Sequence, residues 1–260
     1  MQLALMVLLV GLALGQTPAG ESVRGTLVFS HTGTELEVQT IAKIVQQTAA
    51  IRDLSVDSAT GTLTLSGTSD QMALAEWLFH ELDRPATPSP APATHQFGMP
   101  VRVPDGSDEV VEVFYLAYAD KQTLNDITMA LRPLADITRL FSCDELRILV
   151  ACGTAERTVV AEWIIHELDQ PPSLIKPGTA HAYPLPFRLP GRSEDLVKVF
   201  YLAHADNNQV LINMVQAIRT IAGVSRVYPV YLPRAVVLCA SADQMARADR
   251  VVRDRDQPGK

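Results

Sequence analysis

The sequence predicts an α+β fold of three tandem β-α-β-β-α domains joined by Pro-rich linkers, and three observations predict it. The first is an internal repeat. Residues Gly67–Pro85 (GTSDQMALAEWLFHELDRP) return as Gly153–Pro171 (GTAERTVVAEWIIHELDQP) at a shift of 86, and again as Ala240–Pro258 (ASADQMARADRVVRDRDQP) at a shift of 87. Self-similarity at such a period marks a chain built from one unit used several times. The second is a change of hydrophobic period within each unit, from β-branched runs to helical spacing. The third is proline: 12 of the 17 fall between the repeats or at the Pro85 and Pro171 that close the first and second.

Residues 1–15 read as a secretory signal peptide. Leu3–Leu14 is an uncharged apolar run of 12 residues, shorter than the roughly 20 that a membrane-spanning helix needs. Ala13 and Gly15 supply small residues before a cleavage point at Gln16, although no Lys or Arg precedes the run. No cysteine follows that could carry a lipid anchor, and no later segment is apolar enough to span a bilayer. The expectation is a periplasmic or secreted protein with no stable membrane insertion after cleavage.

The repeats are placed at 24–85, 110–171 and 196–258. Each opens with a strand, Val110–Ala117 in the second copy and Leu196–Ala203 in the third, rich in Val, Phe and Tyr. A helix follows, with Val38, Ile41, Ile44 and Val45 on one face in copy one and Leu124, Ile127, Ala130 and Leu131 in copy two. Thr34 with Glu37 makes a capping-box pattern, and Asp120 and Asp206 are the equivalent N-cap candidates. Two short strands come next, Ile51–Val56 and Thr62–Ser66 around a turn ending at Gly61 in copy one. A second helix closes the unit behind Thr68, Thr154 or Ser241. The linkers are placed at 86–109 and 172–195, where proline stops helices and central strands. They too repeat: His95-x-Phe97-x-x-Pro100 matches His181-x-Tyr183-x-x-Pro186. Their later halves are therefore expected to dock on the domain that follows.

Composition narrows the function. The chain carries 22 Lys and Arg against 29 Asp and Glu, a net charge of −7, so a general nucleic-acid binder is excluded because that needs clustered cations. Three cysteines are too few for a disulfide scaffold. Cys152 and Cys239 fall where copy one has Ser66, a small strand site, and antiparallel pairing of the hairpin places Cys143 near Leu146 rather than Cys152. The pairs His80-Glu81 and His166-Glu167 lack the second His, four residues on, that a zinc helix needs; Arg84 and Gln170 stand there. There is no nucleophile elbow and no glycine-rich phosphate loop. No catalytic, cofactor-binding or metal-binding residue is assigned.

One stripe separates the copies. On the closing helix Ala75, Ala161 and Ala248, then Leu78, Ile164 and Val251, stay apolar and define the core face. Beside them lie Leu74 and Trp77 in copy one and Val160 and Trp163 in copy two, but Arg247 and Arg250 in copy three. Leu82 and Leu168 likewise give way to Arg255. A stripe that changes from Trp to Arg does not belong to a domain's own core. Leu74, Trp77, Val160 and Trp163 are expected to bury against a neighbouring unit or a partner protein, and copy three to end the array with a solvated face. Charge divides the same way: residues 21–85 carry 4 positive and 9 negative charges, 110–171 carry 5 and 10, and 196–260 carry 9 and 5. Opposite-sign ends favour head-to-tail contact between chains; a solvated face with Asp249 paired to Arg253 is a second option, and an acidic partner for copy three a third.

The phrase Val-Phe-Tyr-Leu-Ala-x-Ala-Asp at Val113–Asp120 and Val199–Asp206, followed by a helix, a hairpin and a closing helix ending Leu-Asp-x-Pro, resembles the short periplasmic N-domain of secretins. Those are the outer-membrane channels of type II and type III secretion and of type IV pili. The resemblance implies a β-α-β-β-α ring-building module that packs side by side with others and binds protein partners, without catalysis. No Gly-rich β-barrel region follows in this sequence, so pore formation is not carried over. The reading is a non-enzymatic exported protein whose repeats mediate assembly, with itself or with a secretion or pilus apparatus of the cell envelope. A monomeric module that takes a peptide or cell-wall ligand on a sheet edge is the alternative, and a hydrolase with a site between repeats is the third.

Overall fold

The computed structural model describes residues 22–85, 93–98, 109–188 and 194–258. The signal-peptide reading of 1–15 and much of the linker sequence lie outside the described residues. The first unit comprises β1 (Val23–Val28), α1 (Glu35–Thr48), β2 (Asp53–Asp57), β3 (Thr62–Gly67) and α2 (Ser69–Leu82). Its sheet has the order β1-β3-β2, all antiparallel. The second comprises β4 (Ala93–Gly98), β5 (Val110–Tyr115), α3 (Lys121–Leu134), β6 (Arg139–Cys143), β7 (Ile148–Gly153) and α4 (Ala155–Leu168). The third comprises β8 (Ala180–Pro184), β9 (Leu196–Tyr201), α5 (Asn208–Ala217) continued by a π-helical turn (Ile218–Ala222), β10 (Arg226–Val230), β11 (Ala235–Ala240) and α6 (Ala242–Arg255). The fold is the α+β repeat that the period changes predict.

Two strands are not read from the sequence. β4 and β8 arise inside the stretches assigned to linkers and pair antiparallel with β5 and β9, giving four-stranded sheets β4-β5-β7-β6 and β8-β9-β11-β10. Proline is tolerated at an edge because the outward N–H is not needed; Pro184 ends β8, and Pro229 lies in the opposite edge strand β10.

Caps set the helix ends. Thr34, Thr68 and Ser241 make full capping boxes with Glu37, Gln71 and Gln244, and Asp120 accepts from the Thr123 N–H. In copy three the cap is Asn207, not Asp206. One inserted residue before this helix moves the cap along by one, which also accounts for the shift of 87. The backbone turns left-handed at equivalent places after each first helix, at Ala50, Asp136 and Gly223. The same holds at each hairpin, at Gly61, Arg147 and Arg234. The hairpin register opposes Cys143 to Ile148 rather than bringing it to Leu146. All three cysteines are buried thiols outside any disulfide.

The units stack. One hydrophobic cluster joins Leu74, Leu78 and Ile41 of the first unit to Val111, Val113, Ile148, Val150 and Cys152 of the second sheet. Another joins α3 and α4 to Val197, Val199, Tyr201, Ala235, Val237 and Cys239 of the third. Each of the second and third sheets therefore has its own helices on one face and the preceding unit's helices on the other. That is why β7 and β11 are buried at every position while β1 alternates. A sheet covered on both sides reads as a continuous apolar run, and one with a wet face alternates.

Candidate functional site

The same joint is built twice. At the first, Trp77 on α2 stacks on Phe97 of β4, with ring centres 5.0 Å apart; at the second, Trp163 on α4 stacks on Tyr183 of β8 at 5.4 Å. Glu81 accepts from the Tyr115 hydroxyl at 2.7 Å and pairs with His95 at 2.7 Å. Glu167 does the same with Tyr201 at 3.0 Å and His181 at 2.7 Å. Each tyrosine hydroxyl also donates to the backbone carbonyl of its glutamate's residue. Burial, together with the carboxylate alongside, pushes both phenols far above their ordinary range. At the far side Arg139 donates to the carbonyls of Gln47 and Thr48 at the end of α1. Arg226 donates to the carbonyl of the equivalent Pro133 in α3 and forms an ion pair with Glu194. A cation on the last carbonyls of a helix completes their hydrogen bonding and suits the dipole.

This geometry decodes the repeated His-Glu-Leu-Asp. The Asp works inside its own unit: Asp83 accepts from the N–H groups of Ser30, His31 and Thr32, Asp169 from Ala117, Tyr118 and Ala119, and Asp256 from Ala203 and His204. Burial raises the Asp83 carboxyl, but those donors outweigh it and hold the group below its ordinary value. The Glu works between units, on the His and Tyr of the next. Copy three keeps the Asp and replaces the Glu by Asp254. Sequence reasoning missed Glu81, His95, Phe97 and Tyr115 and their copies. Their signal was that the linker His-x-aromatic and the helix-end Glu occur together in copies one and two.

The four residues assigned to a contact, Leu74, Trp77, Val160 and Trp163, all lie in these joints. Leu74 and Val160 are 0% exposed, so they have no surface for a second protein while the stack is closed. The two tryptophans are half-buried beneath the incoming strand. The neighbour that covers them is the next unit of the same chain.

At the third unit the equivalent helical face is uncovered among the described residues. It forms an open groove of about 730 Å³ lined by Val210, Met214, Ile221, Arg247, Arg250 and Arg255 among others. In the second unit this surface holds the β10–β11 turn, where Thr123 and Asp126 bond the backbone of Leu232 and Tyr231. Asp249 pairs with Lys198 on β9 rather than with Arg253. The opposite end of the stack is also polar. Where the inner sheets present Val111, Val113, Val150 and Cys152, the first sheet presents Arg24, Thr26, Thr64 and Ser66, with Asp53 and Ser55 alongside.

Among the described residues no group of three or more His, Cys, Asp or Glu is arranged to hold a metal, and no helix is long and apolar enough to cross a membrane. Glu112 is an acid buried beneath α4. Burial first and the charge of Glu162 second raise its carboxyl to about 7, against a hydrogen bond from Thr158.

No protein-family profile matches the chain, and no curated protein matches it. Solved structures it is similar to include secretins. Aeromonas hydrophila ExeD is 14% identical over 91% of this chain and 41% of its own, with a TM-score of 0.21. The N-terminal domain of the Pseudomonas aeruginosa secretin XcpQ is 11% identical over 57% and 62%, at 0.23. The type II secretion system secretin GspD of E. coli K12 is 13% identical over 92% and 39%, at 0.21. This chain thus spans about two fifths of the longer secretins. Overlaps this low carry no functional argument, which rests on the chain's own residues.

Proposed function

We propose that this chain is a non-enzymatic, exported assembly protein whose secretin-N-domain-like units, 24–85, 110–171 and 196–258, mediate protein–protein contact in a secretion or pilus apparatus of the cell envelope. One observation carries the reading: a joint made of equivalent residues occurs twice in the chain, and the corresponding helical face occurs a third time, with Arg247, Arg250 and Arg255 at its contact positions and uncovered among the described residues. Leu74, Trp77, Val160 and Trp163 carry the contact between units, and the open groove on α5 and α6 is where the next protein module docks. The likeness of Val113–Asp120 and Val199–Asp206 to the secretin N-domain supplies the envelope setting.

A photo-crosslinking residue in place of Ile221, 55% exposed at the groove, tests this in the source cell, with Leu36 on α1 as the exposed control. Crosslinks at Ile221 to a component of a secretion or pilus apparatus support the reading; none, with export absent, removes it. The sheet-edge reading is favoured by one feature. β1 lacks the flanking strand that β5 and β9 have, among the described residues. Crosslinks at Val23 rather than Ile221 would select it.

A further inference from the structure

The ends of the stack differ from the inner joints in matched ways. Both inner joints put an arginine from the first position of a hairpin strand, Arg139 or Arg226, on the closing carbonyls of the preceding unit's first helix. In the first unit the same position, the first of β2, holds Asp53, exposed on the outer sheet face. At the other end, the helix position filled by Leu74 and Val160 holds Arg247. Its Nε donates to the Ala222 carbonyl at 3.1 Å, at the corresponding helix end. Cation and acceptor have changed sides. In an inner joint the sheet brings the cation to a helix end; at the chain's termini the helix end carries its own cation and the sheet brings a carboxylate.

Polar capping alone needs hydrophilic surfaces at both ends; it does not need an acid at the one sheet position that meets a helix end. We propose that the occupant of the open groove is a second copy of this chain, docked head to tail, with the outer face of its β1-β3-β2 sheet on α5 and α6 and Asp53 against Arg247. The inference rests on the assembly reading and names its partner. Charge supports it, since residues 21–85 carry 4 positive and 9 negative charges and residues 196–260 carry 9 and 5. Arg24, Thr26, Thr64 and Ser66 replace the valines and cysteine of the inner sheets, so this joint is held by polar and charged groups, Asp53 against Arg247 among them, and is weakened by salt, whereas the inner sheets meet their helices with apolar residues. A contact of this kind joins two different surfaces and propagates as a ring or an open filament.

Sedimentation velocity of the full chain across a concentration series, at about 50 mM and about 500 mM salt, tests it. The wild type is expected to associate at low salt and to dissociate at high salt. D53R and R247D are each expected to lose association at least tenfold. An equimolar mixture of the two is expected to recover it, because the unchanged Asp53 of R247D then meets the unchanged Arg247 of D53R, and the two reversed faces also carry opposite charges. Both positions are exposed, and unchanged melting of each variant separates lost contact from lost fold. A wild type that stays monomeric at both salts overturns the self-docking, as does association that neither reversal affects or a mixture that does not recover. The crosslinks at Ile221 report separately: a monomer that still crosslinks an envelope component retains the assembly reading and loses the second copy.

Discussion

The closing helices α4 and α6 descend from one pattern, yet the surfaces they present are opposite. On α4, Val160, Trp163 and Leu168 lie beneath the third sheet; on α6 the same positions are Arg247, Arg250 and Arg255, all exposed. The residues that do not change are Ala161 and Ala248, Ile164 and Val251, and the capping hydroxyls Thr154 and Ser241. Those face their own sheet or start their own helix. What varies between copies therefore measures what lies next door, and what persists measures the unit itself. A repeat protein permits this separation because each unit contacts only its neighbours.

The largest expected effect follows directly. Trp163→Ala removes a ring held between α4 and Tyr183 and should cost about 2–4 kcal/mol, toward the lower part of the range for large-to-small changes because the ring is only half-buried. Arg250→Ala, at the same position in copy three, should stay within about 0.5 kcal/mol. Urea unfolding of both variants checks the contrast. If the stripe met a partner protein, one of the two alternatives the sequence offers, Trp77→Ala and Trp163→Ala would weaken association and spare the fold. With Phe97 and Tyr183 stacked on the two rings, the loss should instead appear in stability.

A smaller effect isolates the polar half of the joint. Glu167→Ala takes the carboxylate from Tyr201 and His181 but leaves the phenol its bond to the residue's own carbonyl. It should cost about 1–3 kcal/mol. Asp254→Ala on exposed α6 should cost less than about 0.5 kcal/mol. If the two losses match in a thermal melt, the glutamate is not a joint residue.

Most of the fold is legible without the structure, because the period of 86 residues multiplies every weak local signal. The N-cap at Thr34 recurs as Asp120, and that at Thr68 recurs as Thr154 and Ser241. The strands β4 and β8 are not legible. Pro-rich flanks signal extended linkers, and Ala180–Pro184 has no alternation of its own because it is an edge strand exposed over most of its length. The stripe Leu74–Trp77 is legible as a contact, with a neighbouring unit or with a partner, but the sequence does not choose between the two. Helical spacing says that a face is apolar and is silent about which sheet arrives on it. Glu81 reads as a helix-end residue because its partners His95 and Tyr115 lie 14 and 34 positions away.

A third test compares the same strand position in two units. Lys198 on β9 pairs with Asp249, whereas Glu112 on β5 faces Glu162 with one carboxylate oxygen unpartnered. Its carboxyl is raised from 4.5 to about 7, so the folded chain holds that proton more tightly than the unfolded one. This contribution to stability is present at acid pH and is lost as pH rises from about 4.5 through about 7. Glu112→Gln should flatten that part of the profile. Glu112→Lys should invert the contact by pairing with Glu162, raising the midpoint at pH 8 by a few °C, about what 1 kcal/mol produces in a chain of this size. A wild-type stability that climbs between pH 5 and 8 and is unaltered by either substitution would show that Glu112 does not face Glu162 as described.

The smallest expected effect concerns the turn after each first helix. Ala50, Asp136 and Gly223 share a left-handed backbone, with φ of 52°, 54° and 71°. A side chain there sets Cβ against the following carbonyl oxygen, at about 1–2 kcal/mol, which glycine escapes. Ala50→Gly should therefore gain about 0.5–1 kcal/mol, part of the relief being returned as the greater freedom of glycine in the unfolded chain. Gly223→Ala should lose a similar amount, since nothing lies within 4 Å of the added Cβ and the penalty is backbone alone. Opposite signs at one shared position, read from paired denaturation midpoints, would show that the third copy has the relaxed form of a turn that the first holds under strain. Equal signs would mean that the packing around α1 and α5, rather than the backbone, decides the cost.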